Sequence, residues 1–133
     1  MSMHISINAK EDYLYVQVTG TYDLALALDL LEEVLIESVH HQLPRLLIDY
    51  RQLQKTFSMT DTYIYAASGA KLVQKYKDGH SQPLRIAYLA PESILADGEY
   101  GVEVAADYGF PEAKRTTNID EALAWLGVRG TEE

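Results

Sequence analysis

Residues 118–127 read Asn-Ile-Asp-Glu-Ala-Leu-Ala-Trp-Leu-Gly and predict a short helix with both ends marked. Asn118 is a favourable N-cap, and Glu121 can reach back to the N–H of that cap, as in a capping box. Gly127 is a typical stop. One face of this helix is apolar at helical spacing and comprises Ala122, Trp125 and Leu126. The helix holds the only Trp of the chain, so we expect it to close a hydrophobic core rather than to perform chemistry.

Length and composition favour one soluble domain spanning residues 1–133. The chain is 47% hydrophobic and 23% charged, and this length can bury a sizeable core. The absence of Cys excludes disulfides, thiolate metal sites and a Cys nucleophile. The first residues do not resemble a signal peptide, and no apolar run is long enough to span a membrane. We therefore expect a cytoplasmic protein that is not an integral membrane protein.

The charge of the chain bears on its partners. With 11 basic and 20 acidic residues, the net charge is −9, which argues against nucleic acid as a partner. Ten tyrosines are many for this length. A tyrosine combines an apolar ring with a polar tip, and this suits half-buried positions. The spread of the tyrosines along the chain favours core edges over one dedicated site.

The pattern of apolar residues predicts an α/β fold. Alternating runs at 4–8 and 13–19 predict an antiparallel hairpin, and Asp23 is a plausible N-cap for a long helix to about His41. The remaining predicted elements are a buried strand at 46–48, a helix from an N-cap at Thr60 to about Asp78, a strand at 84–90, a helix at about 99–108, and a strand at 113–116. The order ββαβαβαβα indicates a mixed open sheet of about five strands, parallel except for the first strand.

One polar cluster is a candidate site. Ligands of open α/β sheets usually bind beyond the carboxyl ends of the strands, and we expect the following residues at that edge: Asp49, Arg51, Ser58, Thr60 and Asp61. A carboxylate at a strand tip beside a hydroxyl at a helix N-terminus can form an anion-binding or phosphoryl-acceptor site. The simpler interpretation, which we favour, is an Asp–Arg pair beside a Thr that caps a helix.

Motifs for catalysis or metal binding are missing from the sequence. It contains no GxSxG, HExxH, GxxxxGK[ST] or GxGxxG. Adjacent side chains on a helix point about 100° apart, so His40 and His41 cannot easily share one metal ion. We therefore predict no enzyme, no cofactor and no metal site.

Three segments resemble the SpoIIAA-like family of small bacterial proteins, which is related to STAS domains and more distantly to CRAL-TRIO lipid-binding domains. They are residues 46–51, 84–90 and 120–126. The last segment resembles the EEAxxWL ending common in that group and is the most specific of the three. The resemblance covers nearly the whole chain. It implies a mixed sheet with helices packed on it and a non-enzymatic role in binding or regulation.

The sequence departs from STAS regulators at one point. These regulators carry Asp-Ser-x-Gly at the N-terminus of the helix after the central strand, and that Ser accepts phosphate. This chain has Ser58-Met-Thr-Asp-Thr62 there, so Ser58 or Thr60 would have to substitute. Our leading prediction is a regulatory module that docks a protein partner or self-associates through tyrosine-bearing surfaces. The alternative is a carrier of a small apolar ligand or lipid between sheet and helices, and an enzyme using Asp49 and Arg51 ranks last.

Overall fold

The computed structural model describes residues 3–54, 59–80, 83–91 and 113–128. Its elements are β1 (Met3–Ala9), β2 (Leu14–Thr21), α1 (Leu24–His41), β3 (Arg45–Gln54), α2 (Met59–Tyr76), β4 (Arg85–Leu89), β5 (Ala113–Thr116) and α3 (Ile119–Leu126). A 3-10 turn at Lys77–Gly79 follows α2. The helix predicted at about 99–108 lies outside the described residues. The predicted order of the other elements is confirmed.

The strands form one mixed sheet in the order β1-β2-β3-β4-β5. β1 runs antiparallel to β2, and the other neighbouring strands are parallel. The predicted mixed sheet with an antiparallel first strand is confirmed. Parallel neighbours need long connections, and α1 and α2 provide two of them. In the part of the chain that the structure describes, no helix is long and apolar enough to cross a membrane.

Strand side chains alternate between two faces of the sheet, and each face packs on different helices. On the α1/α2 face, apolar strand residues such as Val16, Ile48 and Ile86 pack with both long helices. On the α3 face, Leu47 and Leu89 pack with the short last helix. Residues 46–48 are all buried, which confirms the prediction of a strand covered on both sides.

Both ends of α1 lie where the sequence predicted them. Asp23 is the N-cap, as predicted, and its Oδ1 accepts a hydrogen bond from Leu26 N at 3.1 Å. After His41 the backbone turns left-handed at Gln42, with φ 56°. The Gln42 Nε2 donates to Val39 O at 2.7 Å and to Gly79 O at 3.0 Å. This side chain therefore ties the end of α1 to the 3-10 turn after α2.

The start of α3 differs from the prediction in one respect. Asn118 is the N-cap, as predicted, and accepts a hydrogen bond from Glu121 N at 3.0 Å. The predicted capping box is wrong, because the Asn118 N–H donates to Thr116 Oγ1 at 3.1 Å. The Thr116 hydroxyl donates in turn to Glu121 Oε1 at 2.7 Å. The end of β5 thus inserts a hydroxyl between the two groups that the capping box would have joined.

The buried face of α3 also differs from the prediction. Ala122 and Leu126 are buried as expected, but Leu123 takes the third buried position and Trp125 is half-buried. The Trp125 ring lies under the Arg85 guanidinium, 5.3 Å from centroid to Cζ, and Arg85 Nη1 donates to Trp125 O at 2.9 Å. The indole therefore covers the rim of the α3 face instead of filling its centre.

Candidate functional site

The central strand extends further than predicted. β3 runs to Gln54, so Asp49 and Arg51 lie within the strand and not beyond its carboxyl end. Asp49 is paired with Gln17 of β2 and with Leu89, the last residue of β4. The site therefore lies beside the last residue of β4 but within β3, because β3 continues to pair with β2 beyond Asp49.

A β-bulge shapes β3 at this point. Gln17 pairs with Asp49 and Thr19 pairs with Gln52, so β3 carries one more residue than β2 over this interval. The Arg51 N–H donates to Asp49 Oδ1 at 2.9 Å. A bulge twists and bends its strand and frequently redirects a side chain beside a functional site. Here it places the main chain and the side chain of Arg51 around one carboxylate.

The Asp49 carboxylate is buried and saturated with hydrogen bonds. Its side chain is 1% exposed. Oδ1 accepts from Arg51 N at 2.9 Å and Arg51 Nε at 3.0 Å, and Oδ2 accepts from Arg51 Nη2 at 2.8 Å and the Tyr15 hydroxyl at 2.6 Å. The Asp–Arg pair that we favoured from the sequence is therefore confirmed. Tyr15, from β2, is a member of this cluster that the sequence did not single out.

The protonation states follow from these contacts. Burial alone would raise the pKa of Asp49, but the hydrogen bonds from Arg51 and Tyr15 outweigh it and hold that pKa below its ordinary value. Burial and the bond to Asp49 raise the pKa of Tyr15 to about 12. Asp49 is therefore ionised at neutral pH. Because both oxygens already accept two hydrogen bonds, this carboxylate is built to hold Arg51 rather than to attack a substrate.

Arg51 presents the accessible charge of this cluster. Its side chain is 45% exposed, and Asp49 occupies only the edge formed by Nε and Nη2. A guanidinium has five N–H donors in a fixed plane. Lys10 lies close by, with its Nζ 5.8 Å from the centroid of the Tyr15 ring. Two cationic side chains thus flank Tyr15 in a chain whose net charge is −9.

The other predicted site residues belong to a different part of the fold. Ser58 lies outside the described residues. α2 begins at Met59, so Thr60 lies within the helix and the prediction that it is the N-cap is wrong. The side chains of Thr60 and Asp61 are outside the described part of the structure. α2 packs on the α1/α2 face, whereas Asp49 lies on the opposite face, and phosphorylation of Ser58 or Thr60 stays a prediction.

Among the described residues, five tyrosines pack on the α1/α2 face, and four of them lie near one another, although the sequence suggested that the tyrosines were spread out. These four are Tyr22, Tyr50, Tyr65 and Tyr88, all partly buried against the core. The hydroxyls of Tyr65 and Tyr88 are 3.2 Å apart, and the ring centroids of Tyr50 and Tyr88 are 5.7 Å apart. Burial raises the pKa of Tyr50 and Tyr65 well above the ordinary value, so these hydroxyls stay neutral. The prediction that tyrosines are half-buried is confirmed for these four residues. Their clustering depends on the register between strands, which the sequence does not show.

A small cavity lies between the sheet and α1, near the same tyrosines. Its lining includes Ile5 of β1, Leu30 of α1, Ile48 of β3 and Tyr65 of α2. Its volume of about 10 Å³ is close to the minimum that holds one water molecule. The space is therefore far smaller than a small apolar ligand or a lipid requires.

Comparisons with known proteins identify the fold. No protein-family model matches this sequence, and no curated protein matches it either. The crystal structure of an anti-sigma factor antagonist from Mycobacterium paratuberculosis is similar, with a TM-score of 0.55 and 18% identity over 96% of each chain. An uncharacterized protein of the DUF3478 family with a SpoIIAA-like fold, from Shewanella loihica PV-4, gives a TM-score of 0.49 and 23% identity over 93% of each chain.

The first of these similarities defines the class of fold. The fold of this chain is similar to that of an anti-sigma factor antagonist. In the sheet of this chain, one antiparallel strand precedes the parallel ones. The SpoIIAA-like, STAS-like fold that the three sequence segments implied is therefore confirmed.

Proposed function

We propose that this protein is a non-enzymatic regulatory module that docks a protein partner, and that Arg51 is a central contact. The observation that carries this proposal is an exposed guanidinium held along one edge by a buried, saturated carboxylate. A long side chain that is already ordered loses little further entropy when it binds. Arg51 is therefore prepared for recognition, whereas Asp49 has no lone pair left for catalysis.

Charge indicates the chemistry of the partner. Arg51 and Lys10 place positive charge beside Tyr15 on a chain that is otherwise strongly acidic. Guanidinium groups bind carboxylates and phosphates through paired hydrogen bonds. A protein segment with acidic side chains therefore fits this surface. The similar fold of an anti-sigma factor antagonist, a regulatory protein, supports a role of this kind.

A quantitative capture experiment tests the proposal. The wild-type chain and its Arg51→Glu variant are used as baits in a lysate of the source cells, with Lys71→Glu as the control. Lys71 is an exposed residue of α2, so the control makes the same change of charge on a different element. We expect at least one protein whose recovery falls roughly tenfold with Arg51→Glu, about 1.4 kcal/mol of binding free energy, and does not change with Lys71→Glu.

A second variant separates the fixed orientation of Arg51 from its charge. Asp49→Asn keeps the size of the side chain but removes the negative charge that holds Arg51, so we expect a smaller loss of the same partner. Circular dichroism checks that each variant is folded. Recovery of every protein at equal levels with wild type and Arg51→Glu would overturn the proposal. A purified partner identified in this way is then titrated against each variant.

A further inference from the structure

The two edges of the sheet differ in their protection against pairing. β5 has four residues, two of which are Lys114 and Arg115. Short length and positive charge are common devices that keep an edge strand from pairing with another chain. β1 has seven residues, Met3–Ala9, and contains no Asp, Glu, Lys, Arg or Pro. Within the described sheet, β1 pairs only with β2, so one of its two backbone edges has no strand beside it there.

The side chains of β1 are sorted by face. Met3, Ile5 and Ile7 pack against the core on the α1/α2 face. His4, Ser6 and Asn8 alternate with them and are exposed. A strand with this pattern is compatible with an antiparallel copy of itself, because directly opposed residues in an antiparallel pair lie on the same face of the sheet.

We propose that β1 is a homotypic pairing edge, on which a second copy of this chain adds its own β1 in antiparallel orientation about a two-fold axis at Ser6. In this register Ile5 faces Ile7 of the other copy, and His4 faces Asn8. Apolar side chains therefore meet on one face and uncharged polar side chains on the other, with no charged pair in the ladder. The sheet continues across both copies, which is strand addition with a second copy as the partner.

Net charge indicates how this association depends on salt. Each copy carries a net charge of −9, so two copies repel each other at low ionic strength. The strand itself has no Asp, Glu, Lys or Arg whose charge salt would screen. We therefore expect the dimer to strengthen as salt is added, opposite to the behaviour of an interface held by ion pairs.

The pairing edge is separate from the proposed partner site. Arg51 lies on β3, and β2 stands between β1 and β3. Arg51→Glu should therefore leave self-association unchanged, and a failure of one proposal does not decide the other.

Sedimentation velocity on the full chain tests the proposal over a range of concentrations at an ionic strength of about 0.15 M, which weakens the repulsion between the net charges of two copies but still leaves directly opposed charges in contact. We expect a monomer–dimer equilibrium for the wild type and for Arg51→Glu. Ser6→Lys puts like charges directly opposite each other across the two-fold axis and should weaken dimerisation roughly tenfold. The matched control is Thr19→Lys, on β2 beside His4, which places the same charge one strand away from the edge and should leave the dimer intact.

A charge-swap experiment tests the register. Ser6→Lys and Ser6→Glu should each dimerise roughly tenfold more weakly than the wild type, whereas an equimolar mixture should recover dimers, because opposite charges then face each other. Three results would overturn the proposal: a wild type that stays monomeric at millimolar concentration in high salt, equal weakening by Ser6→Lys and Thr19→Lys, or no recovery in the mixture. An extended peptide that binds β1 of a monomeric wild type would assign the edge to another partner.

Discussion

The two faces of the sheet are built differently. The α1/α2 face is covered by two helices of 18 residues each, and its buried strand residues are apolar. The α3 face is covered in the described structure by a helix of eight residues, which packs beside β3, β4 and β5. Beyond the apolar centre under that helix lies the cluster of Tyr15, Asp49 and Arg51.

The difference separates apolar burial from the proposed contact of Arg51 within one strand. Ile48 and Asp49 are neighbours in β3 but point to opposite faces, because side chains alternate along a strand. Ile48 contributes apolar burial, which is the main stabilising contribution to a fold. A buried carboxylate loses its hydration, and the hydrogen bonds from its partners do no more than compensate for that loss. We infer that the α1/α2 face provides most of the apolar burial and that the α3 face holds the proposed recognition group, Arg51.

The largest expected effect is on the α1/α2 face. Leu35→Ala removes a fully buried side chain of α1 and should lower the free energy of unfolding by about 2–5 kcal/mol, measured by urea denaturation. Leu126→Ala makes the same change under α3, where the side chain is also fully buried. We expect a smaller loss there, because a short helix can move toward the sheet and partly fill the cavity.

This pair of variants tests whether the two faces differ in packing energy. An equal or larger loss for Leu126→Ala would mean that the α3 face contributes as much packing energy as the α1/α2 face. Neither Leu variant should change the recovery of a partner that depends on Arg51, provided that the variant is folded.

A smaller effect is expected at the rim of the α3 face. Truncation of a buried Trp costs about 3–5 kcal/mol, but Trp125 is only half-buried and contacts Arg85 through its ring. Trp125→Ala should therefore lower the free energy of unfolding by about 1–3 kcal/mol. Trp125→Phe keeps an aromatic ring under Arg85 and should lose less. A loss as large as that of Leu35→Ala would show that the indole supports the centre of the core.

The smallest effect is a pH dependence beside α1. The Ser38 hydroxyl donates to Leu35 O at 2.8 Å, so it accepts from His80 Nε2–H at 3.0 Å. The His80 Nδ1 is buried and has no hydrogen-bond partner in the described structure. Burial lowers the pKa of His80 below its ordinary value of 6.5. The folded state therefore takes up this proton less readily than the unfolded state.

The sign of the effect follows from that difference. Below about pH 6.5 the unfolded chain binds more protons at this position, so stability falls as the pH is lowered, and above that pH the contribution of His80 is constant. Urea denaturation at about pH 7.5 and pH 5.5 should show a smaller difference in His80→Gln than in the wild type. His41→Gln, at an exposed position beside Glu37, is the control. Equal pH dependence in the wild type and His80→Gln would contradict this assignment. Asp49 does not interfere, because its lowered pKa places its titration below this range.

Much of the fold was predictable because its signals are local. A cap needs one side chain and the following turn, so Asp23 and Asn118 were identified correctly. The buried run at 46–48 was equally clear. The capping box failed because Thr116, outside the helix, competes for the same N–H. Local rules describe which groups can bond, and a nearer group from a neighbouring element decides which of them do.

The candidate site was predictable only as an ion pair. Asp49 and Arg51 are two residues apart, so their pairing was expected from the sequence. The contribution of Tyr15 depends on the register of β2 against β3, and the bulge depends on the same pairing. The tyrosine cluster likewise requires two adjacent strands and α2. No pattern along the chain carries this information.

Composition, periodicity and caps thus specify the order of the elements, the buried strand and the ends of the helices, because these depend on contacts within a few residues. The tertiary structure decides which carboxylate is buried, which cation it orients and which strands form the edges of the described sheet. These depend on strand register and on packing between residues far apart in the chain, where one residue of displacement turns a side chain to the opposite face.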